Sequence, residues 1–204
     1  MVSGLVLMAL LTVGSKAFSF LKDAAVARQF GTGDELDAFM LVFGFLSFTA
    51  ALTGGGLPKA FLPMYAETLH QKSSVRAQRL AVQSSLVHAL SLLIISVVIW
   101  FMAPDLVQWT TRGFSAEKKL LATDLLRQLL PFMFCFSMNY QLGTWLRADK
   151  YFSLATLAPI LVPLTIIGFF IAADSQVNVQ TLFMGTLIGG VLHLLALMIG
   201  VWLK

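Results

Sequence analysis

Charge is what this chain has least of. Only 12% of its 204 residues are charged, against 58% hydrophobic, where a soluble domain carries roughly 25% charge. Cysteine is nearly absent as well: the single Cys135 has no partner within the chain, which excludes an internal disulfide framework and a cysteine metal cluster. Histidine occurs three times, at His70, His88 and His193, and never in an H-E-x-x-H spacing. No G-x-S-x-G elbow and no phosphate-binding glycine loop with its lysine is present either. No enzyme signature and no cofactor site is therefore legible, and the chain is not read as an enzyme. The N-terminal run MVSGLVLMALLTVG has no basic leader and no clean small-residue cleavage site, so it reads as the start of a first helix.

What is present is apolar length. Mean hydropathy is +0.84, and 17 phenylalanines sit in long runs broken by short polar stretches. These features predict an all-α polytopic membrane protein. At about 20 residues per span the chain fits a six-transmembrane-helix bundle. The expected helices are about 2–30, 35–53, 78–103, 119–146, 153–173 and 180–203, in one domain over 1–204. Gly31-Thr32-Gly33 should end the first helix, with Asp34 as N-cap of the second. Gly54-Gly55-Gly56-Leu57-Pro58 should break the second, leaving KAFLPMYAETL as a separate interfacial piece. Pro104 should end the third helix, and Pro131 should kink the fourth. Pro159 and Pro163 lie near the start of the fifth. Gly185, Gly189 and Gly190 make a small-residue face on the sixth, suited to close helix packing.

The net charge of +4 speaks to orientation and anionic lipid, and nucleic acid is not an expected partner. With a cytoplasmic N-terminus, the inner loops and terminus hold Lys72, Arg76, Arg79, Arg147, Lys150 and Lys204. The outer side holds Arg28, Arg112, Lys118 and Lys119. Six basic residues against four place both termini in the cytoplasm.

The charges of the first helix need a purpose, because each costs roughly 2.5 to 3.5 kcal/mol at a bilayer centre on insertion scales. Lys16 and Asp23, seven residues apart, fall on nearly one helix face, and Lys22 is offset by about a third of a turn. One reading is a structural patch in which a lysine neutralises Asp23. The other is the wall of a hydrated cationic cavity, because Lys and Arg bind phosphate and pyrophosphate oxygens by charge-assisted hydrogen bonds. Arg28 and Asp37 flank the next turn and are placed to pair, with helix N-terminal stabilisation as the plainer role for Asp37. Lys59 reaches either lipid headgroups or a cavity mouth. His88 and His193, alone in apolar helices, are expected to bond a neighbouring hydroxyl or carbonyl, with a proton relay as the sharper alternative.

The stretch GSKAFSFLKDAAVARQFGTGDELDAF followed by GGGLPKAFLPMYAE resembles the opening of the MurJ/MviN-type lipid II flippases, of the multidrug/oligosaccharidyl-lipid/polysaccharide exporter superfamily. TTRGFSAEKKLLATDLLRQLLPF and RADKYFSLATLAPIL are similar to later parts of that family. The resemblance implies export of an undecaprenyl-pyrophosphate-linked saccharide across the bacterial cytoplasmic membrane, by alternating access between two helical lobes around a cationic cavity. By position it implies substrate-binding roles for Lys16, Lys22, Asp23, Arg28 and Asp37. The family's two cavity arginines are lysines here, its helix 2 arginine pair is replaced by Phe48-Thr49-Ala50-Ala51, and Val162-Pro163 stands where the family often shows asparagine. Fewer cationic ligands weaken the case for lipid II itself and favour another lipid-linked glycan, such as an exopolysaccharide precursor. The family has twelve to fourteen helices, so this chain corresponds to one lobe. The missing lobe is expected as a C-terminal half, a separate chain or a second copy. Membrane lipid and a lipid-linked glycan pyrophosphate are the other implied partners. A cation-coupled drug or metabolite antiporter, using Asp23 or Asp37, and a non-transporting scaffold for glycan-assembly enzymes remain the rival readings.

Overall fold

A computed structural model describes residues 2–31, 33–71 and 73–203, with side chains throughout except at 2–8, 57–59 and 175. The expectations resting on Thr32, Lys72 and Lys204, and on the Leu57, Pro58 and Lys59 side chains, lie outside the described residues. The described residues form helices α1 (Val2–Phe30), α2 (Asp34–Gln71), α3 (Ser74–Thr110), α4 (Ala116–Gln128), α5 (Leu130–Ala148), α6 (Phe152–Leu157), α7 (Leu161–Ala173) and α8 (Val179–Trp202). A 3-10 turn, Ala158–Ile160, joins α6 to α7. Taking α4 with α5 and α6 with α7, the described residues make six legs joined by short connections. Four of them are long and apolar enough to cross a membrane: α2, α3, the α6–α7 leg and α8. A fifth, α4 with α5, does so as a pair bent by 47°.

Most ends are set by local chemistry. Gly31 takes φ +56°, the left-handed conformation that closes a helix without a Cβ penalty. Its N–H bonds to the Ala27 carbonyl at 3.0 Å. Ser73 caps α3 and Ser115 caps α4, each hydroxyl accepting a backbone N–H. Asn178 and Thr181 form a reciprocal capping box at α8. Asp34 is not the N-cap of α2. It is the first helical residue, and the Gly33 carbonyl takes the Asp37 N–H at 3.1 Å.

Two expected breaks are not breaks. α2 runs unbroken through Gly54–Gly56 to Gln71, so the segment read as interfacial is its continuation. A bilayer offers no water to a freed backbone group, so staying helical is the low-energy course. Gly54 serves close approach instead. A Cβ there would lie 2.8 Å from the Ser137 carbonyl oxygen and 3.0 Å from the Tyr140 Cβ, both on α5. Likewise α3 passes Pro104 and ends at Thr110, with Ala103 and Val107 buried on either side. Pro131 does bend the fourth leg, sitting at the start of α5 just after the Leu129 junction.

α5 is the axis. It packs against α2, α3 and α8, while α8 also packs along α7. Gly185 and Gly190 let α8 close on its neighbours: a Cβ would meet Ile166 Cα of α7 at 2.8 Å and the Phe132 ring of α5 at 2.8 Å. Two apolar cores stack along α5, one built on Leu46, Leu129, Phe132 and Met133, the other on Tyr65, Leu142, Trp145 and Leu146. At 38 residues α2 is about 57 Å long, well beyond a ~30 Å hydrocarbon core. Its far end is pinned by the Tyr65 hydroxyl, which donates to Asp149 Oδ1 at 2.6 Å. α1 stands apart. It leans on α6, the 3-10 turn and α7 rather than on α2, with Phe30 against Phe170 at 6.0 Å between ring centroids.

Candidate functional site

Two places gather polar chemistry. The first is the outer flank of α1. Its packed side is a stripe of mostly small and apolar residues, of which, among the described side chains, only Val26 is fully buried. At 100° per residue, Lys16 and Asp23 share a flank roughly a quarter-turn from that stripe, and both are exposed. Lys22 lies on the packed stripe itself, half-buried, and its ammonium meets the Asp23 carboxylate at 2.5 Å. Arg28 projects on the opposite side of the helix and forms no ion pair among the described residues. The five candidates are therefore not one cluster. Lys16, Lys22 and Asp23 stand together over about two turns, and Arg28 and Asp37 stand away from them.

The expected Arg28–Asp37 pair does not form. Asp37 is held by Lys118, whose ammonium donates to Asp37 Oδ2 at 2.9 Å and to Asp34 Oδ1 at 2.8 Å. Lys118 also lies over the Phe114 ring at 4.2 Å. The reason is the tilt of α1: by resting on α6 and α7 it leaves the start of α2 to the start of α4. The three acids Asp34, Glu35 and Asp37 in the first turn of α2 also suit its positive dipole end.

The second place is the middle of α5, and sequence reading passed it over. Within PFMFCFSMNYQLGTWLR, five of eight positions from Ser137 to Thr144 are polar or hydroxylated: Ser137, Asn139, Tyr140, Gln141 and Thr144. That density in an apolar leg was the available signal. Buried in the bundle, Ser137, Asn139 and Gln141 find partners on other helices, while Thr144 bonds the Tyr140 carbonyl of its own helix. His88 Nε2 on α3 and Thr53 Oγ1 on α2 both meet Ser137 Oγ, at 3.0 and 2.9 Å. Gln141 donates to Ser84 Oγ at 3.0 Å. The Asn139 amide meets His193 Nδ1 on α8 at 2.9 Å. Both intramembrane histidines thus bond side-chain neighbours. Asn139, Tyr140, Arg147 and His193 line a cavity of about 230 Å³ between α5, the Ala155–Pro159 segment and α8. Among the described residues no group of three or more metal-ligating side chains occurs.

Comparison with known proteins fits this architecture. The family model described as lipid II flippase MurJ matches residues 26–202. That span includes Arg28, Asp37 and the whole of α5, and begins just after Lys16, Lys22 and Asp23. The probable lipid II flippase MurJ of Rhizobium tropici is 29% identical over 199 residues, covering 93% of this chain and 37% of that protein. The lipid II flippase MurJ of Thermosipho africanus is 29% identical over 194 residues, covering 92% and 38% respectively. A solved lipid II flippase MurJ in an inward closed conformation superposes with a TM-score of 0.77 at 25% identity, over 95% of this chain and 41% of that one. The chain thus spans about two fifths of the length of the relatives it matches.

Proposed function

Because the chain belongs to the lipid II flippase MurJ family, we propose that it forms one lobe of a flippase. That flippase carries a polyprenyl-pyrophosphate-linked saccharide across the cytoplasmic membrane by alternating access. The observation that carries the reading is the α1 flank. Lys16 is exposed on a flank of α1 that no other element covers among the described residues, and Lys22, half-buried on the packed stripe, reaches Asp23 of that flank. In a two-lobe transporter such a flank faces the second lobe, and rocking of the lobes exposes the space between them to each side in turn. Lys16 and Lys22 are the proposed pyrophosphate ligands. Asp23 holds the Lys22 ammonium in place and moderates the positive field, so that the anion is bound and still released. Asp37 and Arg28 are the proposed outer rim, with Asp37 acting through its tie to Lys118. Lipid II and an exopolysaccharide precursor both present the pyrophosphate this flank would hold. The second lobe is a necessary partner.

The test is complementation of lipid-linked glycan export in cells depleted of their own flippase, with accumulation of the precursor on the inner leaflet as readout. A hydrogen bond to a charged group contributes roughly 1.5 to 3 kcal/mol, so Lys16→Ala and Lys22→Ala should each weaken substrate engagement about tenfold to a hundredfold. Arginine at either position should restore it. Full export by both alanine variants would remove the cationic-flank mechanism and favour a scaffold role.

A further inference from the structure

A groove of about 460 Å³ lies between α3 and the fourth leg, at the leg's 47° bend. Its walls are apolar: Leu93, Val97 and Phe101 of α3, and Leu130, Pro131 and Phe134 of α5. One charge stands among them, Arg127 near the end of α4. That guanidinium is positioned by a consequence of Pro104. A proline has no N–H to give the carbonyl four residues back, so the Trp100 carbonyl lacks its helical donor. Arg127 Nε donates to that carbonyl at 3.3 Å. The guanidinium also lies over the Trp100 ring at 5.7 Å, within cation–π range. The backbone bond and the ring hold the base of the fork. The terminal amines of Arg127 form no hydrogen bond and no ion pair among the described residues.

We propose that this groove is a binding site for one membrane glycerophospholipid, with an acyl chain along α3 and the headgroup phosphodiester on Arg127. A guanidinium with unused N–H groups among apolar walls is costly, and the membrane itself supplies the acceptor. The planar fork matches two phosphate oxygens. The depth fits one leaflet: the eight-residue step from Leu93 to Phe101 rises about 12 Å, close to half of a ~30 Å hydrocarbon core. An indole beside a snorkelling cation is the pairing expected where a membrane helix meets the headgroups. A protein occupant, whether a second copy or the second lobe, would have to bring a carboxylate to Arg127, whereas every glycerophospholipid brings a phosphate. The substrate's own pyrophosphate is assigned to α1, which contributes no residue to this groove. The site therefore takes bulk lipid from the leaflet on the side of the α3–α4 connection. It recognises the phosphate rather than the net charge of the headgroup.

The test is photo-cross-linking in nanodiscs that hold the protein with the second lobe that accompanies it in the cell. The probes carry a diazirine in one acyl chain: a phosphatidylethanolamine, a phosphatidylglycerol and a diacylglycerol of the same chains. Adducts at residues 93–101 and 130–134 should form equally with the two phospholipids. They should form about tenfold less with diacylglycerol, one charge-assisted bond's worth. Arg127→Gln should bring the phospholipids down to the diacylglycerol level, while adducts at the exposed Ile171 of α7 stay unchanged and report an intact bundle. Pro104→Ala decides independently. It returns an N–H to the Trp100 carbonyl and releases Arg127, so the phospholipid preference should shrink although the charge remains. Equal labelling by diacylglycerol and phospholipid in the unmodified protein, or a preference that survives Arg127→Gln, would overturn the site. So would labelling by phosphatidylglycerol alone, which marks general attraction to negative charge. Absence of adducts beside the second lobe would show that protein covers the groove, and displacement of the probe by polyprenyl pyrophosphate would give it to the substrate's tail; either result ends the proposal.

Discussion

α1 and α5 handle polarity in opposite ways. α1 carries four charges, Lys16, Lys22, Asp23 and Arg28, yet among the described side chains it buries one residue fully, Val26. α5 has a single charge, Arg147 near its end, and is buried on most of its surface. On α1 the charges are placed on or beside an open flank, where water or a ligand can meet them and no partner is obligatory. On α5 the buried groups Ser137, Asn139 and Gln141 are uncharged and meet side chains on α2, α3 and α8. A charge needs an escape from the low dielectric, whereas a neutral polar group needs one well-placed partner. The helix whose charges lie along an open flank is therefore loosely anchored, and α5, whose buried polar groups meet three other helices, is the axis.

That contrast can be broken most sharply where α2 meets α5. Gly54→Leu forces a side chain into the Ser137 carbonyl and should cost about 3 kcal/mol or more, read as a collapse of the thermal unfolding midpoint in detergent. Gly56→Ala, two positions on with nothing within 4 Å of its would-be Cβ, should leave the midpoint unmoved or raise it. If both variants behave alike, the close approach is not what Gly54 provides. A smaller effect is expected from His88→Leu, which removes one partner of Ser137 and leaves the Thr53 contact. The expected loss is about 1 to 2 kcal/mol, and a silent variant would mean that the α5 polar groups do not tie the helices together. The smallest effects belong to the charges. Lys118→Ala should lower stability slightly, by a margin that shrinks as salt is added, while Lys16→Ala should not move the midpoint at all. A large stability loss from Lys16→Ala would show that α1 charges are structural and erase the distinction between the two helices.

The parts of the fold that were legible are those written within a turn or two. Gly31 ending α1, Pro131 bending the fourth leg and the start of α8 near residue 180 were all read from neighbouring residues. The glycine run at 54–56 was misread for the same reason. A local reading cannot distinguish a glycine that interrupts a helix from one that admits another helix, and the deciding atoms belong to Ser137 and Tyr140. The pairing of Asp37 was misread likewise: its partner Lys118 is 81 residues away, while Arg28, nearer in sequence, was carried off by the lean of α1. The Asn139–His193 bond was the largest omission, because His193 looked like an isolated core residue and its partner is 54 residues away.

By itself the sequence determined that this chain is helical and membrane-spanning, where most helices start and stop, and which family it belongs to. Hydrophobic length, capping residues and a long specific motif are all properties of contiguous segments. Only the tertiary structure decided which polar groups meet, across separations of 54 residues for Asn139 and His193 and 84 for Thr53 and Ser137. In a membrane bundle those meetings depend on how helices lean and how closely small residues let them approach. No single helix contains that information.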